Sequence, residues 1–221
     1  MKKVVKVFVF GLSGRMGQEL QIILSSSADS VAKLVPTTKQ ADVVIDFSSP
    51  EGLSNLIKDI KNLKCALVSG TTGTSKKQLD ELRTASKSKA VLRSSNFSPG
   101  LWIFREAIKA FKYSDGFDFA IDETHHTAKK DNPSGTALTL HQDLETITKS
   151  KVTKPVGKRI GGVFGIHTVQ AASPNEILRF EHVALNRRVF AVGALDAALW
   201  IVNQDAGLYS MDDFMKDKVR S

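Results

Sequence analysis

Short apolar runs alternate with segments of helical periodicity over the first 97 residues. The run Val4–Phe10 leads into a glycine-rich turn, after which leucine and isoleucine recur at helical spacing. Further apolar runs predict strands at these positions: residues 30–35, 43–45, 63–68 and 90–93. Helices are expected to begin at Ser49-Pro50 and at Ser75, where Gln78 completes a capping box. Strands that alternate with short helices predict an α/β domain whose parallel sheet is covered on both faces.

The pattern changes after Pro99 to that of an α+β segment. It predicts an apolar helix over residues 101–111 and an alternating strand over residues 117–121. A polar loop, a helix that starts near Ser134 and two further strands, residues 162–169 and 177–184, follow. Residues 149–161 are rich in lysine, arginine and proline and are interpreted as an exposed loop. An apolar helix from Val189 is expected to return to the first sheet.

The composition is that of an ordinary globular protein, with 42% hydrophobic and 24% charged residues. No apolar run approaches the roughly 20 residues that span a bilayer, so no membrane partner is expected. Lys6 interrupts the first apolar run and no cleavage site follows, which favours a buried strand over a secretion signal. Cys65 is the only cysteine and excludes an intramolecular disulfide. A cytoplasmic location is therefore expected.

The formal net charge of +8 comes from 31 Lys and Arg against 23 Asp and Glu. These charges are dispersed along the chain, whereas nucleic-acid proteins concentrate them on one face. The excess therefore suits a small anionic ligand, and no nucleic-acid partner is expected.

Gly11, Gly14 and Gly17 form a G-x-x-G-x-x-G turn between the first strand and the first helix. Such turns let the backbone approach a pyrophosphate at a helix start, although glycine turns also simply connect strands to helices. Three more loops follow strand ends, at Ser48, at Gly70–Thr72 and at Ser95–Phe97. Because the carboxyl ends of parallel strands share one edge, the four loops together favour a nucleotide site.

The end of the second strand carries no carboxylate to bind a ribose diol. Its residues Val35–Lys39 supply hydroxyls and an ammonium, which favour a 2′-phosphate, and Arg15 in the glycine turn could assist. The cofactor is therefore NADPH or NADH, with the residues favouring NADPH. The alternative is that Lys39 is only a solvated surface lysine.

A second chemical segment, Glu123–Thr136, follows the predicted alternating strand. His125, His126 and Lys129 offer proton donors and cationic groups. Ser134-Gly135-Thr136 opens a helix whose amides and hydroxyls can hold a carboxylate. The segment suits a small polyanionic substrate that must gain a proton, unless Ser134 is only a helix cap and the histidines only an exposed loop.

A metal site is the competing interpretation of the histidines. Adjacent histidines do not easily ligate one ion, and the third ligand would have to be His141, His167 or His182. No metal is therefore expected.

The motifs G-x-x-G-R-M-G, V-I-D-F-S-x-P-E, G-T-T-G, S-N-F-S and E-x-H-H-x-x-K-x-x-x-P-S-G-T-A occur in order between Val7 and Leu138. Their combination resembles the dihydrodipicolinate reductase family of bacterial lysine and diaminopimelate synthesis. The resemblance implies NAD(P)H-dependent reduction of 4-hydroxy-tetrahydrodipicolinate to tetrahydrodipicolinate. It also implies a Rossmann-like domain of residues 1–97 and 188–221, and a domain of residues 98–187 that binds the dicarboxylate substrate and forms a homotetramer.

The resemblance also implies roles for single residues. His125 would be the catalytic histidine and Lys129 the proton donor, and Arg187 resembles a family arginine near the domain hinge. The substrate carboxylates would be bound by His126, Lys129, Ser134, Gly135 and Thr136. The cofactor would be lined by Gly11, Leu12, Ser13, Gly14, Arg15, Met16, Gly70, Thr71, Thr72, Ser94, Ser95, Asn96 and Phe97.

The chain departs from the family pattern in two stretches. It is shorter before Asp42, where the usual ribose-binding position is lost, and again between Leu138 and Arg159, in the expected substrate domain. Ile166 also stands where the family has a glutamate. Two rival functions therefore remain open, a nucleotide-sensing binding protein and a reductase of another small imine or carbonyl acid. The intact histidine–lysine segment argues against a pure binding protein.

Overall fold

The computed structural model describes residues 4–26 and 31–220. The strands are β1 Val5–Phe10, β2 Ala32–Leu34, β3 Val43–Asp46, β4 Ala66–Ser69, β5 Ala90–Arg93, β6 Asp118–His125, β7 Val156–Arg159, β8 Ile166–Ala172, β9 Ile177–Val183 and β10 Gly207–Tyr209. The α-helices are α1 Arg15–Ser25, α2 Pro50–Asp59, α3 Lys76–Ala85, α4 Pro99–Ile108, α5 Gly135–Ile147, α6 Arg188–Ile201 and α7 Met211–Arg220. Short 3-10 helices cover Thr38–Gln40 and Lys109–Tyr113.

The chain divides into two compact units. Unit 1 comprises Met1–Phe97 and Arg188–Ser221, and unit 2 comprises Ser98–Arg187. The predicted beginning of the second strand at Ser30 lies outside the described residues, and the strand is described from Ala32. In the described part of the chain, no helix is both long and apolar enough to cross a bilayer.

Unit 1 is built on a six-stranded sheet with the order β10-β5-β4-β3-β1-β2. All of its strand pairs are parallel, which confirms the predicted sheet. All four residues of β3 and of β4 are buried, as expected for the centre of a parallel sheet. Val44, Leu67 and Val91 form one core cluster with side chains of α2 and α3, which include Leu53 and Leu82.

The predicted return of the apolar helix to the first sheet is confirmed. Helix α6 packs against α1 and lies along β3, β4 and β5. Gly193 permits this close approach, because a Cβ at that position would fall 1.9 Å from the carbonyl oxygen of Phe97. The sequence analysis did not predict β10 and α7, which follow α6 and complete the unit. Their apolar signal is short, since β10 has three residues and only Met211, Phe214 and Met215 of α7 are buried.

Unit 2 contains a four-stranded mixed sheet with the order β7-β6-β8-β9. Strands β6, β8 and β9 pair antiparallel, whereas β7 joins β6 in parallel. Helices α4 and α5 pack on this sheet through a cluster that includes Phe104, Phe119 and Leu140. The ring of Phe111 meets the rings of Phe119 and Phe180 edge-on, each at a centroid distance of 5.1 Å.

The prediction that residues 149–161 form an exposed loop is wrong for its C-terminal part. Val156–Arg159 is strand β7, and its register places Arg159 opposite His125. The four residues have no apolar alternation because they form an edge strand whose side chains are exposed or half-buried. Strand β6 continues past the predicted end at Ile121 to His125, since its polar residues still pair with β8.

Candidate active site

The glycine turn of unit 1 has the backbone geometry that its spacing predicts. Gly11 has φ +89°, a conformation that favours glycine, and its carbonyl accepts a hydrogen bond from the Gly14 amide at 3.0 Å. A Cβ on Gly17 would lie 2.3 Å from the Gly11 oxygen. The third glycine therefore allows the first turn of α1 to lie directly against the end of β1.

The N-terminus of α1 is open to an anion. Its N-cap is Gly14, which has no side chain to accept an amide, and the first turn holds no acidic residue. By contrast, Ser49 Oγ caps α2 by accepting the Gly52 amide at 3.1 Å. The first amides of α1 therefore keep their partial positive charge for a ligand. Six of the predicted cofactor residues form this turn and helix start: Gly11, Leu12, Ser13, Gly14, Arg15 and Met16.

Asp46, at the carboxyl end of β3, connects two of the predicted loops. Its fully buried carboxylate accepts the Ser48 amide at 3.1 Å and the Ser48 hydroxyl at 2.5 Å through Oδ1. Oδ2 accepts the hydroxyls of Ser69 and Thr71, both at 2.8 Å. The sequence analysis ended the predicted strand at residue 45 and used Asp46 only as one position of the V-I-D-F-S-x-P-E motif. The available signal was a carboxylate that directly follows three apolar residues, at positions 43–45, and this signal could have indicated that Asp46 organises the neighbouring loops.

The other predicted cofactor residues lie at the same sheet edge. Gly70–Thr72 follow β4, and the ring of Phe47 covers Gly70, where a Cβ would be 2.2 Å from that ring. After β5, Ser94 Oγ accepts the Asn96 amide at 3.1 Å, which holds Ser94–Phe97 in a turn. The buried Phe97 ring meets Phe47 edge-on at 5.7 Å. The structure thus brings the loops after β1, β3, β4 and β5 to one edge, as predicted from the parallel sheet.

The segment after β2 forms the 3-10 helix Thr38–Gln40, whose N-cap is Thr37. Thr37 and Lys39 are exposed, and no acidic residue lies in the first turn of this 3-10 helix.

A cavity of about 350 Å³ lies elsewhere in unit 1 and is lined by residues of α3, β5 and the β10–α7 segment, including Arg93 and Tyr209. None of the predicted cofactor residues lines this cavity.

In unit 2 the central group is a buried carboxylate, Glu123, two residues before His125 on β6. Residues at positions i and i+2 of a strand share one face, so both side chains point the same way. Glu123 Oε2 bonds His125 Nδ1, while Oε1 accepts the Arg159 guanidinium at 2.8 Å and the Ser134 amide at 3.1 Å. Sequence reasoning missed Glu123 and Arg159 as site residues, although the i, i+2 spacing could have revealed Glu123.

The pKa values of this pair are displaced by opposing causes. Burial raises the pKa of Glu123, but hydrogen bonds from Arg159 and His125 outweigh it and hold that pKa below its usual value. Burial lowers the pKa of His125 more than the nearby Glu123 carboxylate raises it. At neutral pH the pair is therefore an ionised carboxylate beside a neutral imidazole.

Lys129 lies in the loop after β6 and is held by Asp131. Its Nζ is 2.7 Å from Asp131 Oδ1, and the Gly135 amide, in the first turn of α5, reaches Asp131 Oδ2 at 3.4 Å. The loop is fixed at its base because the Lys129 amide donates to the His126 carbonyl at 3.1 Å. Asp131 thus contacts both a lysine and a helix start through its carboxylate. These are the contacts that the sequence predicts for a carboxylate of the substrate.

Helix α5 begins as predicted at Gly135, with Ser134 as its N-cap. Ser134 Oγ accepts the Ala137 amide at 3.2 Å and lies 3.4 Å from His167 Nε2. Ser134 is therefore a helix cap and, at the same time, a neighbour of the histidine site. Thr136 lies in the same first turn.

His167 is a further buried histidine of the site. Its ring meets that of His125 edge-on at a centroid distance of 5.1 Å. Burial, followed by the proximity of His125 and His182, lowers the pKa of His167 to about 3, so this ring is neutral. Among the residues that the structure describes, no group of three or more His, Cys, Asp or Glu side chains is arranged to hold a metal ion.

Comparison with known proteins gives the same family for both units. Residues 23–97 match the profile for the dihydrodipicolinate reductase N-terminus, and residues 101–215 match the one for its C-terminus. The 4-hydroxy-tetrahydrodipicolinate reductase of Bdellovibrio bacteriovorus is 44% identical over 227 aligned positions, covering 99% of each chain. The enzyme of the same name from Caldanaerobacter subterraneus is 34% identical and covers 96% of this chain and 98% of its own.

A solved structure shows the same fold. The chain described as dipicolinate-bound dihydrodipicolinate reductase from Paenisporosarcina sp. TG-14 superimposes with a TM-score of 0.74 at 18% identity, covering 94% of this chain and 97% of its own. Since the two family profiles span most of the chain and the relatives align over nearly all of it, the family predicted from the motifs is confirmed: the chain belongs to the dihydrodipicolinate reductase family.

Proposed function

We propose that the chain catalyses the NAD(P)H-dependent reduction of 4-hydroxy-tetrahydrodipicolinate to tetrahydrodipicolinate, in the diaminopimelate route to lysine. The observation that carries this proposal is the site at the end of β6. There an oriented histidine, a lysine ammonium and a helix start lie within one short segment, Glu123–Thr136. The relatives that align with nearly the whole chain carry this activity in their names.

Unit 1 fits a nicotinamide dinucleotide. The uncapped α1 start would bind the diphosphate through the amides of Arg15 and Met16, while the loops after β3, β4 and β5 would line the remainder. When bound, the reduced nicotinamide supplies a hydride from its C4 to an unsaturated carbon of the substrate ring. The exposed Thr37 and Lys39, at a 3-10 helix whose first turn holds no acidic residue, favour NADPH over NADH.

Unit 2 would bind the substrate and supply the proton. The two substrate carboxylates would be bound by His126, Lys129, Ser134, Gly135 and Thr136. One of these carboxylates would displace Asp131 from Lys129 and the Gly135 amide, since Asp131 already makes the contacts that a ligand carboxylate needs. The Lys129 ammonium would then donate the proton that balances the hydride, and the 4-hydroxyl group of the substrate would leave as water, which balances the overall conversion to tetrahydrodipicolinate. A cyclic dicarboxylate as substrate agrees with the description of the structural relative, which is bound to dipicolinate.

We also propose that the enzyme is a cytoplasmic homotetramer. The support for assembly is the edge strand β9, where Ile177, Leu178 and Val183 are exposed although they belong to a regular sheet. Exposed apolar side chains of this kind mark association surfaces. Light scattering of the purified protein measures the oligomer size, and a monomer at micromolar concentration would contradict this part of the proposal.

The test of the activity is a coupled assay in which the substrate is generated enzymatically and the absorbance of the reduced cofactor is followed. Wild type should oxidise NADPH, and Lys129→Ala or His125→Ala should lower kcat by roughly 10²–10⁴-fold, the usual contribution of a positioned acid or base. Lys130→Ala is the matched control, because Lys130 is an exposed neighbour in the same loop.

The outcomes also separate the rival functions. Cofactor binding without turnover of any imine or carbonyl acid would identify a nucleotide-sensing protein. Turnover of another such acid in preference to this substrate would identify a reductase of different specificity. Unchanged kcat in both Lys129→Ala and His125→Ala would refute the assigned roles.

A further inference from the structure

We propose that Glu123 is a positioning residue that fixes His125 in its Nδ1–H tautomer, so that Nε2 acts as a hydrogen-bond acceptor toward substrate. The tautomer follows from contacts within unit 2 alone. Its catalytic consequence rests on the proposed reductase function. Under this assignment the proton given to the substrate comes from Lys129, and His125 Nε2 receives an N–H or O–H group of the substrate.

The contacts of Glu123 leave little freedom in the placement of protons. Oε1 accepts from the Ser134 amide at 3.1 Å and from the Arg159 guanidinium at 2.8 Å, and both of these groups can only donate. Oε2 bonds His125 Nδ1. The residue is 1% exposed, so no bulk water competes for these positions. An ionised carboxylate carries no hydrogen, and the proton in the Glu123–His125 bond therefore belongs to Nδ1.

The opposite side of the ring carries the free lone pair. Nε2 faces Gly165, where a Cβ would be only 3.1 Å away. The charged and titratable groups around the ring are Glu123, Lys129, Arg159 and His167. Burial and the two cations lower the pKa of His125, which keeps the ring neutral at pH 7. A neutral ring with its hydrogen on Nδ1 presents Nε2 as an acceptor.

Backbone hydrogen bonds also fix the position of His125. The His125 carbonyl accepts the Ile160 amide at 2.9 Å, and the Thr127 amide donates to the Gly161 carbonyl at 3.2 Å. The β6–β7 pairing therefore holds both the ring's own backbone and Arg159, which orients Glu123. Glu123 links three elements, β6, β7 and the start of α5, through one carboxylate.

Glu123→Gln gives a sharp test because the two oxygens of Glu123 have different partners. The amide oxygen of glutamine must take the place of Oε1, where two obligate donors need an acceptor. The amide NH₂ then takes the place of Oε2 and donates to His125 Nδ1. The substitution preserves size but should transfer the ring hydrogen to Nε2.

The measurement is a long-range ¹H–¹⁵N spectrum of the ligand-free protein labelled with ¹⁵N-histidine, with His125 assigned by comparison with His125→Gln. Wild type should show a protonated Nδ1 and a bare Nε2, and Glu123→Gln the reverse. Glu145→Gln is the matched control, since Glu145 bonds His141 Nδ1 at 3.3 Å on the surface of α5. It removes the same charge from a histidine–glutamate pair and should leave the His125 spectrum unchanged.

Kinetics supply the second readout. Glu123→Gln should lower kcat by about 10²-fold or more while the KM for NADPH stays constant, because the wrong histidine tautomer costs up to about 10⁴-fold in other enzymes. Raising the pH should not restore activity, since the defect is the tautomer and not the titration of a group. Glu145→Gln should behave as wild type.

The results separate this inference from the proposed function. A wild-type His125 with its hydrogen on Nε2 would overturn the inference whether or not the protein is a reductase, and this result does not depend on the folding of Glu123→Gln. An unchanged tautomer in folded Glu123→Gln would overturn it equally. An Nδ1–H ring in a protein that reduces no substrate would support the positioning role of Glu123 and refute only the proposed function.

Discussion

Removal of the Asp46 carboxylate should both destabilise unit 1 and weaken cofactor binding. Its two oxygens accept four hydrogen bonds from Ser48, Ser69 and Thr71, and its side chain is fully buried. Asp46→Ala removes the carboxylate acceptor of the Ser48, Ser69 and Thr71 hydroxyls, and the Ser48 amide keeps only its contact with Thr71 Oγ1 at 3.1 Å. A hydrogen bond to a charged group contributes about 1.5–3 kcal/mol, and some hydroxyls can turn to water, so we expect a loss of about 3–5 kcal/mol in unfolding free energy.

Asp46→Asn should be milder. The amide oxygen can replace Oδ1, which accepts the obligate donor Ser48 N–H, and the NH₂ can replace Oδ2 if the hydroxyls of Ser69 and Thr71 turn to accept. Thr71 Oγ1 already accepts the Ser48 amide at 3.1 Å but has a second lone pair. We therefore expect Asp46→Asn to cost about 1 kcal/mol.

The assays are urea unfolding followed by circular dichroism and NADPH binding followed by cofactor fluorescence. Because Asp46 holds the loops after β3 and β4, Asp46→Ala should weaken NADPH at least about tenfold, which corresponds to 1.4 kcal/mol. Asp42→Asn is the control, since Asp42 accepts the Lys6 amide at 2.8 Å at the other end of β3. An ordinary hydrogen bond contributes about 1 kcal/mol to stability. Destabilisation of Asp46→Ala by less than about this amount, together with an unchanged NADPH affinity, would therefore refute the reasoning.

Two further predictions concern unit 2. The pKa of His167 is about 3 in the folded protein against an ordinary 6.5, so the unfolded chain binds more protons as the pH falls and stability is lost on acidification. Between pH 6.5 and 4.5, wild type should lose about 2 kcal/mol more unfolding free energy than His167→Gln in urea titrations, and equal losses would contradict the neutral buried ring. Gly135→Ala should fold normally, because its Cβ would meet no atom within 4 Å. If a substrate carboxylate lies at the helix start, Gly135→Ala should raise the substrate KM by roughly fivefold, which corresponds to about 1 kcal/mol. An unchanged KM would place the carboxylate elsewhere.

The fold of unit 1 could be predicted because each local signal has a local cause. The Ser49-Pro50 start of α2 and the Ser75–Gln78 capping box of α3 are both present in the structure, and in unit 2 so is the Ser134 cap of α5. By contrast, strand β7 has no apolar pattern of its own and exists because β6 offers a free edge. Pairing between distant segments cannot be inferred from periodicity alone.

The candidate site was predictable in its residue types and not in its connections. The sequence identified His125, Lys129 and Ser134 as chemically competent. It did not reveal that Glu123 joins His125 to Ser134, because the Oε1 and Oε2 contacts depend on the packing of α5 and β7 around β6. The same holds for Asp46, whose three partners come from two loops and a neighbouring strand.

The most direct test of the central claim follows the hydride itself. The protein would be supplied with enzymatically generated 4-hydroxy-tetrahydrodipicolinate and NADPH deuterated at both C4 positions, and the product analysed by mass spectrometry. The account predicts tetrahydrodipicolinate that contains one deuterium for each NADPH oxidised. Cofactor oxidation without deuterium in the product, or no oxidation at all, would contradict it.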